Sequence, residues 1–162
     1  SKMLLVLCAL IIPVESYFHI GSWSPNAIGF QTYRDDSYRN RDSDLYPLYN
    51  VALQRKIVEY HNYFRMQVRP SASNMLLMHW NAEAAQQAQK YADVCRFVEH
   101  NSWKDRIVRN FYSCGQNLFG SREKTDWYTA IESWYSEYVN YTYGSHKNVF
   151  EDIGHYTQMM WA

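Results

Sequence analysis

The reading of this chain turns on Gly154-His155-Tyr156-Thr157-Gln158-Met159-Met160-Trp161, near its carboxyl end. Tyr156, Gln158 and Met160 alternate with His155, Thr157, Met159 and Trp161, and a period of two predicts a strand over 155–161. Upstream of it, Trp127, Ile131, Trp134 and Tyr138 fall on one face of a helix predicted from about Thr125 to Val139. Further back, Asn81 suits a helix N-cap and Glu83 puts an acid in the first turn, where the helix dipole favours it. Ala85, Ala88, Ala92 and Cys95 then form a small-residue stripe that lets a neighbour approach. Leu53, Ile57, Phe64 and Val68 recur at helical spacing from Val51, with His61 in the same stripe, and Arg69-Pro70 stops that helix. Asn74 to Trp80 is a second strand candidate. Helices first, a strand between them and strands late predict a layered α/β arrangement.

Composition agrees with one packed domain. The chain has 162 residues, of which 47% are hydrophobic and 20% charged, enough to bury a core. Sixteen basic residues balance sixteen acidic ones. That balance excludes a general nucleic-acid binder, which needs a basic excess to displace counterions. Six Trp, fifteen Tyr and seven Phe make 17% aromatic, a level that suits an extracellular module or a recognition surface. No internal repeat or low-complexity tract interrupts the chain.

The amino end reads as an address. Lys2 precedes an apolar run from Met3 to Val14, too short to span a bilayer but laid out as a secretory signal. Cleavage is expected between Ser16 and Tyr17; a strand or helix is the alternative for this run. Residues 1–16 are thus a signal peptide and 17–47, which mix both charge signs with Tyr and Ser, a flexible leader. No second apolar run follows, so no membrane span is expected and the mature protein is exported. In that compartment Cys95 and Cys114 are disulfide candidates, with each other or with cysteines beyond this chain. Asn140-Tyr141-Thr142 is a glycosylation triplet.

Several residues could carry chemistry. His61 and Asn62, inside the first helix, read best as buried hydrogen-bonding groups that tie it to its neighbours. Cys114-Gly115-Gln116-Asn117-Leu118 reads as a turn feeding a strand, its amides satisfying backbone groups. His100, Glu137 and His155 would make a divalent-metal set if the fold gathers them. A Gly-x-Ser-x-Gly elbow, a His-Glu-x-x-His pair and a phosphate-cradling glycine loop are missing from the sequence, so the corresponding hydrolase, zinc-protease and nucleotide-binding readings lack their motifs.

Four of these stretches, in order, resemble the CAP superfamily (SCP domain). Residues 154–161 look like its signature, His61-Asn62-x-x-Arg65 matches its first-helix motif, and Gly115-Gln116-Asn117-Leu118 matches its Gly-Glu-Asn-Leu motif with one change. Asn74 to Asn81 and Ser133 to Glu137 look closest to the mammalian cysteine-rich secretory proteins. The resemblance covers 48–162 and implies an α-β-α sandwich, incomplete at the carboxyl side, where later strands and a small cysteine-rich domain would follow. It also implies a cleft where two His and two Glu converge. By motif these positions are His100, Gln116, Glu137 and His155, with Gly115, Asn117, Tyr156, Gln158 and Trp161 as structural companions.

Gln116 departs from the pattern. An amide neither takes a proton nor supplies negative charge, so no catalytic residue is expected and zinc binding by His100 and His155 should be weak. The resemblance implies a secreted, non-enzymatic interaction protein with a protein or cell-surface partner, in sperm maturation or sperm–egg contact. No cofactor is required. A metal-dependent hydrolase and a lipid or sterol carrier are the alternatives, which leaves lipid as a second partner class.

Overall fold

The computed structural model describes residues 3–7, 45–96, 99–109 and 113–161. The first helix, α1 (Val51–Arg65), starts where the Asn50 side chain accepts from the Leu53 amide at 3.0 Å. Its buried residues Leu53, Ile57, His61 and Phe64 form the predicted stripe, while Val68 falls beyond the helix end. In α2 (Ala82–Asp93), Asn81 caps as expected by accepting from the Ala84 amide at 2.9 Å. Its buried face is one residue off the predicted stripe: Ala84 and Ala88 are buried, Ala85 is half-buried and Cys95 is exposed beyond the helix. The face turns because Ala84 packs with Val108 and Cys114, and Ala88 with Tyr91, Ala92 and Leu118.

The third helix is shorter than predicted. α3 (Trp127–Tyr135) is capped by Asp126 and continues as a 3-10 helix over Ser136–Asn140. Trp127, Ala130, Ile131 and Trp134 are buried, and Tyr138, on the tighter 3-10 turn, swings out to half exposure. The main core joins these four to Leu53, Ile57 and Phe64 of α1 and to Met159. Burying apolar area on this scale is the principal stabilising term.

Both predicted strands are corrected. Residues 155–161 lie in and just past α4 (Phe150–Met160), whose buried Ile153, Tyr156 and Met159 recur every three residues. Ile153 lies just outside the window in which the alternation was counted, and Glu151 and Asp152 supply the acidic first turn a helix favours. Asn74 to Trp80 belongs to no strand among the described residues. Its backbone groups bond to α1 side chains instead, as shown below.

The described sheet has two strands. β1 (Met3–Leu7) pairs antiparallel with β2 (Asn117–Ser121), Met3 opposite Ser121 and Leu7 opposite Asn117. The first five residues of the apolar run read as an export signal, Met3–Leu7, are thus a strand, and their removal would bare the β2 edge they cover. The expected cut after Ser16, together with Cys8 and residues 17–44 of the leader, lies outside the described residues. The end of the leader is packed: Pro47 is buried, and the Leu45 carbonyl accepts from Trp127 Nε1 at 3.4 Å. No helix among the described residues is long and apolar enough to cross a membrane.

Candidate functional site

Glu137, on the 3-10 helix after α3, reaches into α4. One carboxylate oxygen accepts from His155 Nδ1 at 2.6 Å; the other accepts from the backbone amides of His155 at 2.8 Å and Tyr156 at 3.1 Å. The His155 side chain is 40% exposed and that of Glu137 19%. With Nδ1 donating to the carboxylate, a neutral His155 carries its lone pair on Nε2. Tyr156, buried beneath, stacks near Tyr135 and Tyr141, with ring centroids 5.8 Å and 5.2 Å away. Burial first, then those two phenols, pushes its own phenol up, so it stays a neutral wall.

A matching arrangement holds the second imidazole. Gln116, buried at the entry to β2, accepts from His100 Nδ1 through Oε1 at 2.8 Å and donates from Nε2 to Asn101 Oδ1 at 3.0 Å. His100 is thereby set in the same tautomer as His155. The neighbouring Asn117, first residue of β2, donates to the His155 carbonyl at 3.0 Å, so two consecutive residues bond to both histidines. Gly115 lies just before them, with the Gln158 side-chain amide packed where a β-carbon would sit. The amides of 116 and 117 were expected to satisfy backbone groups; Asn117 does, whereas Gln116 serves side chains.

Of the first-helix residues, Asn62 and Arg65 bond outside the helix, whereas the hydrogen bond of His61 stays within it. His61, fully buried, donates from Nδ1 to the Ile57 carbonyl at 2.8 Å, and its Nε2 has no hydrogen-bond partner among the described residues. Burial first pushes its pKa down to about 4. Asn62 brackets Met78, donating to its carbonyl at 3.1 Å and accepting from its amide at 2.8 Å. Arg65 gives Nε and Nη2 to the Leu76 carbonyl at 3.2 and 2.8 Å, and Nη1 to the carbonyls of Met159 and Trp161 at 2.6 and 2.9 Å. These two side chains hold 74–80 through the backbones of Leu76 and Met78. Trp161 itself is exposed.

Of the predicted site residues, the structure joins His155 to Glu137 and His100 to Gln116. It does not assemble the three-donor metal set: among the described residues no three His, Cys, Asp or Glu side chains are placed to hold an ion. Glu137 is engaged by three hydrogen bonds, all from His155 and Tyr156. The donors that remain are the Nε2 atoms of His100 and His155, whose second nitrogens are fixed as they are in metal-ligating histidines. Cys95 is a free, exposed thiol, and Cys114 is buried. Asn140 is exposed and donates from Nδ2 to the Asp152 carbonyl at 3.3 Å. Sequence reasoning missed Asn101 as the partner of Gln116; its only signal was adjacency to His100. It also missed Phe150, whose ring lies over Gly154 beside His155.

A chain that fixes two histidines in this way is matched by a known family. The model described as "CAP: Cysteine-rich secretory protein family" covers residues 58–162, and the chain belongs to that family. It is 44% identical over 110 residues to cysteine-rich secretory protein 3 of Homo sapiens, covering 67% of this chain and 44% of the relative. It is 42% identical over 112 residues to cysteine-rich secretory protein 2 of Homo sapiens, covering 68% and 45%. Allurin of Xenopus tropicalis is 36% identical over 139 residues, covering 85% of this chain and 64% of the relative. The chain thus spans about half the length of the curated relatives it matches.

Proposed function

We propose that this protein is a secreted, non-enzymatic recognition module of the cysteine-rich secretory type, built on an α-β-α sandwich, with a protein or cell-surface partner. The observation that supports a grip over a cut is the commitment of Glu137. Its carboxylate is engaged by three donors that orient His155, and the other acid position holds Gln116, an amide that cannot act as a base. Names containing "secretory" among the relatives and the apolar amino end support export. Export in turn supports a disulfide role for Cys95 and Cys114 and a glycan at Asn140. The family resemblance supports sperm maturation or sperm–egg contact as the setting.

His100 and His155 would hold a zinc ion weakly through their Nε2 atoms, with water completing the shell. A bound ion would supply positive charge to which an acidic or carbonyl group of the partner could attach. Two measurements test the reading. The purified protein, with and without added zinc, should turn over neither peptide nor ester substrates; steady turnover abolished by Glu137→Gln overturns it. Calorimetric titration should show weak zinc binding that His100→Ala removes, and equal binding by the variant discards the two-histidine site.

A further inference from the structure

A cavity of about 220 Å³ is lined by the last turn of α1 and by the chain that follows it to Leu77. Its lining is mostly apolar, with Met66, Val68, Met75, Leu76 and Leu77 contributing. Met66, Leu76 and Leu77 are exposed, which leaves apolar surface in water that a ligand would cover. Two polar side chains of α1, Asn62 and Arg65, line the same space. A guanidinium has five N–H donors; Arg65 gives four of them to the carbonyls of Leu76, Met159 and Trp161 and keeps one on Nη2. Asn62 gives one Nδ2 hydrogen to the Met78 carbonyl and keeps the other.

Charge points the same way. Arg65 is 2% exposed, and among the described residues no carboxylate forms an ion pair with it. The same holds for Arg69, whose Nη1 donates to the carbonyl of the lining residue Val68. A buried cation without a counter-ion is costly, and an anion in the cavity would offset that cost. The carbonyl end of α1 opposes an anion with roughly half a negative charge. That opposition is reduced, because the amides of Met66 and Gln67 already bond to the carbonyls of Asn62 and Phe64, and Arg65 sets a full charge against it. Size restricts the ligand further. A dry cavity of about 150 Å³ takes one benzene ring, so this one has room for a ring and a short acidic arm. A sterol or a long acyl chain is too large.

We infer that this cavity binds a small organic acid, a carboxylate on an aromatic or short aliphatic body of about ten non-hydrogen atoms. The carboxylate accepts from the spare hydrogens of Arg65 Nη2 and Asn62 Nδ2. The body packs on Met66 and Met75, whose thioethers adapt to an aromatic surface. The site shares no residue with the two-histidine pair and does not depend on export or zinc.

The test titrates phenylacetate into the metal-free full chain at neutral pH and follows isotope-labelled methionine methyls by NMR. Phenylacetamide, of the same shape without the charge, and dodecanoate, a long-chain acid, are titrated alongside. The methyls of Met66 and Met75 should shift and saturate with phenylacetate while that of Met3 stays in place. Phenylacetamide should bind at least about tenfold more weakly, for want of the charge-assisted bond, and dodecanoate no more tightly than phenylacetate. Ala72→Trp, which fills the lining from an exposed position and leaves Arg65 in place, should abolish the shifts. If that variant does not fold, the comparison of acid with amide on the wild type decides alone. Equal affinity for acid and amide overturns the inference, as do shifts that survive in a folded Ala72→Trp and methyls that never respond. Tighter binding of dodecanoate overturns it in favour of a lipid.

Discussion

The α1 seam and the cleft are built from the same parts, histidines beside amides and a charged partner, yet they do opposite jobs. His61 spends Nδ1 on the Ile57 carbonyl and turns Nε2 into a wall that includes Trp134, 6.3 Å away between ring centroids. His155 spends Nδ1 on Glu137 and keeps a side chain 40% exposed. In both, one nitrogen is fixed by a hydrogen bond; what differs is the environment of the other. A sealed nitrogen makes the imidazole a packing element that resists charging, whereas an open one makes it available to a ligand. Arg65 and Gln116 show the same division. Arg65 spends its donors on three backbone carbonyls, while Gln116 spends its amide on orienting two neighbouring side chains.

If that division is right, substitutions in the seam should cost stability and those in the cleft should cost recognition. The largest effect is expected at Arg65. Arg65→Met would leave the carbonyls of Leu76, Met159 and Trp161 without their donor, a loss of about 3–5 kcal/mol in urea unfolding. Arg65→Lys should recover only a minor part, since an ammonium lacks the planar fork. Full recovery by Lys would mean the charge matters more than the geometry.

His61 comes next, and its effect depends on pH. Burial holds its pKa at about 4 in the fold against 6.5 in the unfolded chain. The unfolded chain therefore binds the extra proton first as pH falls. Stability from this group is intact above pH 6.5 and is lost between 6.5 and about 4, reaching about 3 kcal/mol at the acid end. Arg65, on the same helix, opposes protonation as well. His61→Phe should remove this part of the acid sensitivity, and unfolding curves measured at pH 7 and pH 4.5 should then lie closer together than in wild type. An unchanged spread would place the acid sensitivity elsewhere.

Asn62→Ala is smaller because the ring of contacts around it survives. It removes both bonds to Met78 and should cost about 2 kcal/mol, read as a lower urea midpoint with an unchanged slope. Because Asn62 and Arg65 hold the same extended segment, their losses should not add. A purely additive double variant would mean that 74–80 is held mainly by its own packing.

How much of this was legible in the sequence follows from distance along the chain. The caps at Asn50 and Asn81 and the α1 and α3 stripes depend on residues within a turn or two, so local spacing carries them. The His61-Asn62-x-x-Arg65 motif could be placed on a helix. The acceptors of Arg65, however, lie 94 and 96 residues away, where no local pattern reaches. The misreading of 155–161 is of another kind: seven residues alternate as well in a helix as in a strand when Ile153 is left out of the count. At the two histidines, the family resemblance named all four positions, but not that two backbone amides of α4 would bond to Glu137, which depends on where a 3-10 turn meets another helix.

The smallest expected effect on stability, and the sharpest test of the cleft as a place of recognition, is Gln116→Glu. The carboxylate would replace an amide oxygen 2.8 Å from His100 Nδ1 and raise the basicity of the Nε2 that faces a ligand. Zinc affinity should rise roughly tenfold, while urea stability changes by less than about 1 kcal/mol. There is an opposing term. Gln116 now donates to Asn101 Oδ1 at 3.0 Å, and a carboxylate has no donor to give. Asn101 must turn its amide to present Nδ2 instead, which its own side chain permits without a change in shape. Asn101→Asp combined with Gln116→Glu blocks that turn by setting two carboxylates face to face, so the gain should vanish in the double variant. If it persists, the Gln116–Asn101 bond is incidental to how His100 is aimed.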